Sequence, residues 1–230
     1  MTAHSPIAVL GAGSWGTALA IHLAKQGSSV RLWDISKTHV VAMRDARENQ
    51  RYLPGIMFPE SLLLVEHLSE ALEGVQDVLC VPPSHAFRHL LGDCQPLLEN
   101  DARIIWATKG IDPDSYELLD QVATKTLGER SYAVLSGPSF AKEVAQGLPT
   151  SLTVASNNKV LSGDLVNRFH CEHFRLYTSD DMIGVQIGGA LKNVYAIAAG
   201  ISDGLGYGAN ARCALITRAL NELMSLGLAM

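Results

Sequence analysis

The sequence predicts an α/β fold: a doubly wound parallel sheet followed by the start of an all-helical second domain. Three observations predict it. Short apolar runs alternate with helical patterns through the first 150 or so residues. Those runs are near-continuously hydrophobic rather than alternating, as strands covered on both faces are. Near position 180 the character changes to long, small-residue-rich helical stretches.

In chain order, the strand-like runs lie at 7–10, 30–33, 78–81, 104–107 and 133–135, with helical patterns at 16–26, 37–49, 85–98 and 116–126 between them. This β-α alternation is the signature of a parallel sheet wound in both directions. Two further strand-like pieces follow at 151–155 and 174–177, then a helix over 182–201. Positions 209–228 read as a second long helix, with Leu215, Ile216, Leu220, Leu223 and Met224 spaced for one buried face. The expected division is a unit over 1–180 and the beginning of a helical unit over 181–230. Two helices make a poor core alone, so the second unit reads as truncated.

Composition narrows the class. Hydrophobic residues make up 47% and charged residues 18% of the 230, enough apolar surface for a sizeable core and too little charge for disorder. The formal charge is −5 and no basic stripe with interleaved aromatics occurs, which argues against nucleic acid as a partner. Cys80, Cys94, Cys171 and Cys213 are scattered with no CxxC pair, so free thiols in a reducing cytoplasm are expected and a zinc site is not. A first strand starting near residue 6 leaves no room for a signal peptide, and no apolar run is long enough to span a membrane.

The first motif is Gly11-Ala12-Gly13-Ser14-Trp15-Gly16. It leaves a strand and opens a helix, the context that turns GxGxxG into a Rossmann-type dinucleotide fingerprint. Gly11 suits the tight turn, Gly13 lets backbone approach a pyrophosphate, and Gly16 lets helix and strand pack closely. The helix then offers free N–H groups and partial positive charge to phosphates. Asp34 ends the second strand eighteen residues after Gly16, near the position of an acid that holds a ribose 2′-hydroxyl. It favours NAD over NADP, and the neighbouring Arg31 and Lys37 pull the other way.

The second motif is Gly188-Gly189-Ala190-Leu191-Lys192-Asn193, one lysine in an apolar helical pattern. Burial lowers a lysine's pKa, and an amine tuned toward neutrality can exchange a proton with a hydroxyl or ketone. Asn193 and Asn210 are candidates to hold it by hydrogen bonds, and the two glycines clear space for a cofactor or a second backbone. Lys109, in Thr108-Lys109-Gly110, lies just past a strand, where open α/β sheets bind ligands. Ser136-Gly137-Pro138-Ser139-Phe140-Ala141 gives a capped helix start at the same rim, suited to an anion. Val81-Pro82-Pro83-Ser84-His85 is a third such rim, where His85 reads better as a capping or packing residue than as a catalytic one. No Ser-His-Asp arrangement or metal-ligand cluster competes.

Taken together, these segments, with Gly200-Ile201-Ser202-Asp203-Gly204, resemble the bacterial NAD(P)-dependent glycerol-3-phosphate dehydrogenases in order over essentially the whole chain. The resemblance implies reversible reduction of dihydroxyacetone phosphate to sn-glycerol 3-phosphate, with NAD or NADP as cofactor, feeding phospholipid synthesis. It implies Lys192 as the proton-transferring lysine, Lys109, Gly137 and Ser139 as substrate contacts, and Ser14, Trp15, Lys109 and Ala141 as cofactor contacts. A homodimer is the candidate assembly. Two departures stand out. The family usually carries uncharged or basic residues where Asp34 stands, and its members run well past position 230 into helices that bind the substrate phosphate. A chain of this length is therefore expected to bind dinucleotide and to turn over poorly or not at all. The competing readings are a β-hydroxy-acid dehydrogenase of the same superfamily, separated by a carboxylate substrate, and a non-catalytic dinucleotide-binding module.

Overall fold

The computed structural model describes residues 5–230. Its centre is an eight-stranded sheet: β1 (Ile7–Leu10), β2 (Val30–Trp33), β3 (Leu62–Val65), β4 (Asp77–Cys80), β5 (Arg103–Trp106), β6 (Tyr132–Ser136), β7 (Thr150–Ser156) and β8 (Phe174–Ser179). The spatial order is β3-β2-β1-β4-β5-β6-β7-β8. The chain winds outward from β1 to β3, returns to β4 on the other side of β1, and winds outward again. Ile7 pairs with Val30 on one side and Asp77 on the other, so β1 and β4 flank the point where the winding reverses. That crevice, beyond the carboxyl ends of the strands, is where such sheets bind ligands.

The helices are α1 (Ser14–Lys25), α2 (Lys37–Ala46), α3 (Leu68–Leu72), α4 (Ser84–Cys94), α5 (Leu119–Leu127), α6 (Ala141–Gln146), α7 (Lys159–Phe169), α8 (Met182–Gly204) and α9 (Gly208–Ala229). Successive strand residues face opposite layers. Ile7 and Val9 pack with Leu19, Ile21 and Phe169, whereas Ala8 and Leu10 pack with Phe87, Leu91 and Trp106. The continuous hydrophobicity of the runs follows from this two-sided burial.

The structure departs from the sequence expectations in instructive places. β3, α3 and α7 lie where no element was expected. α5 starts at Leu119 rather than 116, because Tyr116 sits at φ 60°, outside a right-handed helix. α2 stops at Ala46 because Arg47 turns left-handed at φ 53°. β7 runs antiparallel to β6, with Ser136 opposite Thr153 and Ala133 opposite Ser156. The helix between them, α6, has six residues, about 9 Å of rise, so the chain re-enters the sheet from the rim it left.

The strand ends opposite that rim are held by buried charge. Asp77, 2% exposed, accepts from Arg103 Nε at 2.6 Å and Nη2 at 2.9 Å, with Arg168 Nη2 at 3.4 Å. Burial pushes the Arg168 pKa down, with the Asp77 carboxylate opposing that shift. Asp77→Ala leaves two guanidinium groups facing each other without their shared anion. Removing one partner of a buried ion pair costs about 3–5 kcal/mol, and urea unfolding is expected to report a loss of that size.

Candidate cofactor and substrate site

The glycine turn is set by geometry at two residues. Gly11 has φ 108° and its Cα side faces the Val81 carbonyl, where a Cβ would lie 3.0 Å from the oxygen. A Cβ on Gly16 would overlap the Gly11 carbonyl oxygen outright. Gly13 has open space on its side, as a residue facing a ligand should. Two side chains staple the turn. Asn49, fully buried, donates from Nδ2 to the Ala12 carbonyl and to Thr17 Oγ1, both at 2.8 Å, and accepts from the Tyr52 N–H. Asp34 accepts from the Ala12 N–H at 2.9 Å and the Ser36 N–H at 3.0 Å. The first intrahelical bond of α1 runs from the Thr17 N–H to the Gly13 carbonyl, which leaves the N–H groups of Ser14, Trp15 and Gly16 without partners inside the helix.

This turn forms one wall of a cleft of about 670 Å³. Gly11, Gly13, Ser14, Trp15, Gly16, Asp34, Lys109, Ser139 and Ala141 all line it. The Trp15 indole Nε1 is buried without a hydrogen-bond partner, and Lys109 Nζ lies 5.2 Å from the centre of a Trp15 ring. A cleft lined by helix N–H groups without intrahelical partners and by a carboxylate fits a dinucleotide.

The sequence reading missed part of the wall. Ile35, Tyr52, His89, Leu90 and Asp93 line the cleft too. The signal for the α4 residues was the spacing of Ala86, His89, Leu90 and Asp93 on one helix face after a strand end. His85 is exposed and does not line the cleft.

The lysines meet beside the cleft, at the end of β6. Lys109 Nζ donates to Ser139 Oγ at 3.5 Å, and Lys192 Nζ donates to the Gly137 carbonyl at 3.4 Å. Lys192 and Gly137 do not line the cleft themselves. Gly189 makes this approach feasible, since a Cβ there would lie 2.5 Å from Ser136 Oγ. Gly188 faces open space, and Asn193 and Asn210 are exposed rather than holding Lys192. Gly137 is fixed by packing: its Cβ would press on Leu152 Cδ2 and the Ser151 carbonyl.

The amine that the structure tunes is Lys109, where the sequence reading looked to Lys192. Burial first, then the neighbouring Lys192 ammonium, pushes Lys109 down to about 7. Its loop is anchored by the nearly buried Asp112, which accepts from Arg88 Nη2 at 2.7 Å and from the Ser115 N–H and hydroxyl. The Arg88 guanidinium holds the Asp112 carboxyl down to about 2.

A pH dependence follows. Between about 7 and the 10.5 of an unfolded lysine, the folded chain has released a proton from Lys109 that the unfolded chain keeps. This group therefore adds stability as pH rises through that window and withholds it below pH 7. Lys109→Met is expected to raise Tm relative to the parent more at pH 6 than at pH 9, measured by thermal melts at both.

Among the described residues, no group of three or more metal-ligating side chains occurs, and no helix is long and apolar enough to cross a membrane.

Comparison with known proteins agrees with this geometry. A family model for the N-terminus of NAD-dependent glycerol-3-phosphate dehydrogenase matches residues 6–162, and one for its C-terminus matches residues 181–230. The whole chain is 50% identical to glycerol-3-phosphate dehydrogenase [NAD(P)+] of Haemophilus influenzae, covering 69% of that protein. It is 52% identical to the enzyme of the same name from Colwellia psychrerythraea, covering 70% of it. The crystal structure of a glycerol-3-phosphate dehydrogenase from Coxiella burnetii superposes with a TM-score of 0.93 at 51% identity, over 96% of this chain and 68% of that one.

Proposed function

The chain belongs to the NAD-dependent glycerol-3-phosphate dehydrogenase family, and from that premise we propose how its own residues carry the reaction. It is an oxidoreductase that interconverts dihydroxyacetone phosphate and sn-glycerol 3-phosphate with NAD(P)H, a reaction that supplies the glycerol phosphate of phospholipids.

The glycine turn and the N-terminus of α1 would hold the pyrophosphate, with Ser14 and Trp15 beside it in the cleft wall. When bound, the reduced nicotinamide supplies the hydride that C2 of the ketone receives. Lys192 gives a proton to the C2 oxygen in that direction and takes it back in the reverse one. Lys109, Gly137 and Ser139 seat the substrate, and Ala141 closes the cofactor side. The Gly137 carbonyl aims Lys192 toward the turn that holds Ser139. Lys109, pulled down to about 7 by burial and the neighbouring Lys192, would regain its proton beside the substrate's phosphate.

The observation that carries this reading is the convergence of two lysines, one from the loop after β5 and one from α8, on the turn after β6 beside the dinucleotide cleft. The test is NADH oxidation with dihydroxyacetone phosphate against the same assay with a β-keto acid. Turnover with the phosphorylated ketone alone supports the reading; turnover with the keto acid alone overturns it.

The division into a dinucleotide-binding unit over 1–180 and a catalytic helical unit from 181 is part of this proposal, supported by the location of Lys192 on α8. So is a cytoplasmic location, supported by four free thiols. A homodimer is the proposed assembly, supported by the exposed apolar side chains Val194, Ile197, Ile216 and Met224 on α8 and α9.

A further inference from the structure

On the reading of both lysines as site residues, we infer that Gln186 is a positioning residue of the reaction: a buried carboxamide that locks the helix carrying Lys192 to the segment carrying Lys109.

Gln186 lies on α8, two turns before Lys192, and is 5% exposed. Its Oε1 accepts from the Asp120 N–H at 3.1 Å, and its Nε2 donates to the Met182 carbonyl at 3.2 Å. Both ends of the amide are thus used, in one orientation. Asp120 is the second residue of α5, in the turn whose N–H groups find no carbonyl inside the helix. Leu118, at the cap position of α5, has no side-chain acceptor to offer, so Gln186 supplies the cap from another helix. Residues 107–118, which carry Lys109, run from β5 into that helix start. The same segment is held on its other side, where Asp112 accepts from Arg88 and a Cβ on Gly110 would lie 3.0 Å from Ser84 Oγ.

Little else fixes α8 at this point. Among the described residues, two side-chain hydrogen bonds run from α8 to residues before 180: that of Gln186, and that of Lys192 itself to the Gly137 carbonyl. Between them Gly189 faces both neighbours, since a Cβ there would lie 2.5 Å from Ser136 Oγ and 3.8 Å from Lys109 Cγ. Past Lys192, the side chains of Val194, Ile197 and Ile201 are exposed. Gln186 does not line the cleft, so it sets where Lys192 stands without touching the dinucleotide. Misplacing a reacting group by about 1 Å costs about 10²-fold in rate. The tether also keeps Lys192 beside Lys109, where burial and that neighbouring charge lower the Lys109 pKa.

The test is Gln186→Met in the full chain, which keeps the length and apolar packing and removes both polar ends. Single-turnover reduction of dihydroxyacetone phosphate at saturating NADH is expected to slow by about 10–100-fold, with NADH affinity within about twofold of the parent. The titration midpoint of Lys109, read by NMR of carbon-13-labelled lysine without turnover, is expected to move up from about 7 by about 0.5–1 pH unit as the Lys192 charge draws away. Gln186→Glu keeps an acceptor for the Asp120 N–H at a helix start that favours a carboxylate, and is expected to recover the rate to within about threefold of the parent. An unmoved midpoint in Gln186→Met, with Tm lowered or not, overturns the positioning role and leaves the two-lysine site standing. A loss of NADH affinity as large as the loss of rate overturns it as well. A midpoint near the ordinary 10.5 in the parent overturns the lysine pair and the positioning role together. Where the parent turns over too slowly to measure, the midpoint decides alone. Should Gln186→Met fail to fold by circular dichroism, Gln186→Ala, which leaves room for water at the Asp120 N–H, takes its place.

Discussion

Lys192→Met is expected to cut the rate of ketone reduction by about 10²–10⁴-fold while leaving NADH affinity unchanged. The argument is positional. Lys192 is outside the cleft's lining, with Nζ donating to the Gly137 carbonyl. Methionine keeps the length and apolar packing of the stem, so α8 should stay seated against Ser136 through Gly189. What disappears is the proton donor to the C2 oxygen. Stopped-flow reduction with saturating cofactor separates this from a binding defect. A variant that lost NADH affinity in parallel with rate would place Lys192 in the cofactor site instead. Lys109→Met differs in kind, since Lys109 lines the cleft and faces Trp15.

Gly16→Ala is the second large effect expected, and it acts through backbone alone. The added methyl group overlaps the Gly11 carbonyl oxygen and also approaches the Val81 side chain. In a looser turn the loop would yield. Here Asn49 and Asp34 hold both the carbonyl and the N–H of Ala12, and Gly11 is pressed on Val81. Forcing a methyl group into such packing costs about 1–3 kcal/mol. At tenfold per 1.4 kcal/mol, NADH affinity is expected to fall by about 5–140-fold if the strain falls on the bound geometry. Titration reads that loss, and thermal melts read any part that falls on stability. Gly13→Ala, with open space at its Cβ, should cost stability little and affinity more, because that space is the ligand's.

Much of this was legible in the sequence because the central strands announce themselves. Residues such as Val9, Leu32, Leu79 and Ile105 are fully buried, and two-sided burial writes a continuous hydrophobic run. β3 escaped because it lies beyond β2 at the sheet's end, with Leu63 half exposed, and its Leu-rich segment follows a loop full of turn residues. α7 escaped because Ser162 and Arg168 sit on its buried face and break the apolar spacing. At the site, glycines and lysines after strand ends were visible, since the topology brings every parallel strand's carboxyl end to one rim.

Asn49 was not visible. Its role depends on a side chain reaching back from the end of α2 to Ala12 and Thr17, a contact without local signature. The division of labour between the lysines was hidden for a similar reason. An apolar neighbourhood in sequence suggested that Lys192 would be the tuned amine. In three dimensions burial bears on Lys109, and the Lys192 charge lies beside it.

The central claim is that the dinucleotide cleft and the lysine pair form one reaction centre. The measurement that reaches it most directly is a single turnover with dihydroxyacetone phosphate and NADH carrying deuterium at the transferable C4 position of the nicotinamide. The account predicts deuterium at C2 of sn-glycerol 3-phosphate from the parent chain, and little or none in the same time from Lys192→Met with NADH fully bound. Label transfer at the parent rate in Lys192→Met would contradict it, as would its absence from the parent with both ligands bound.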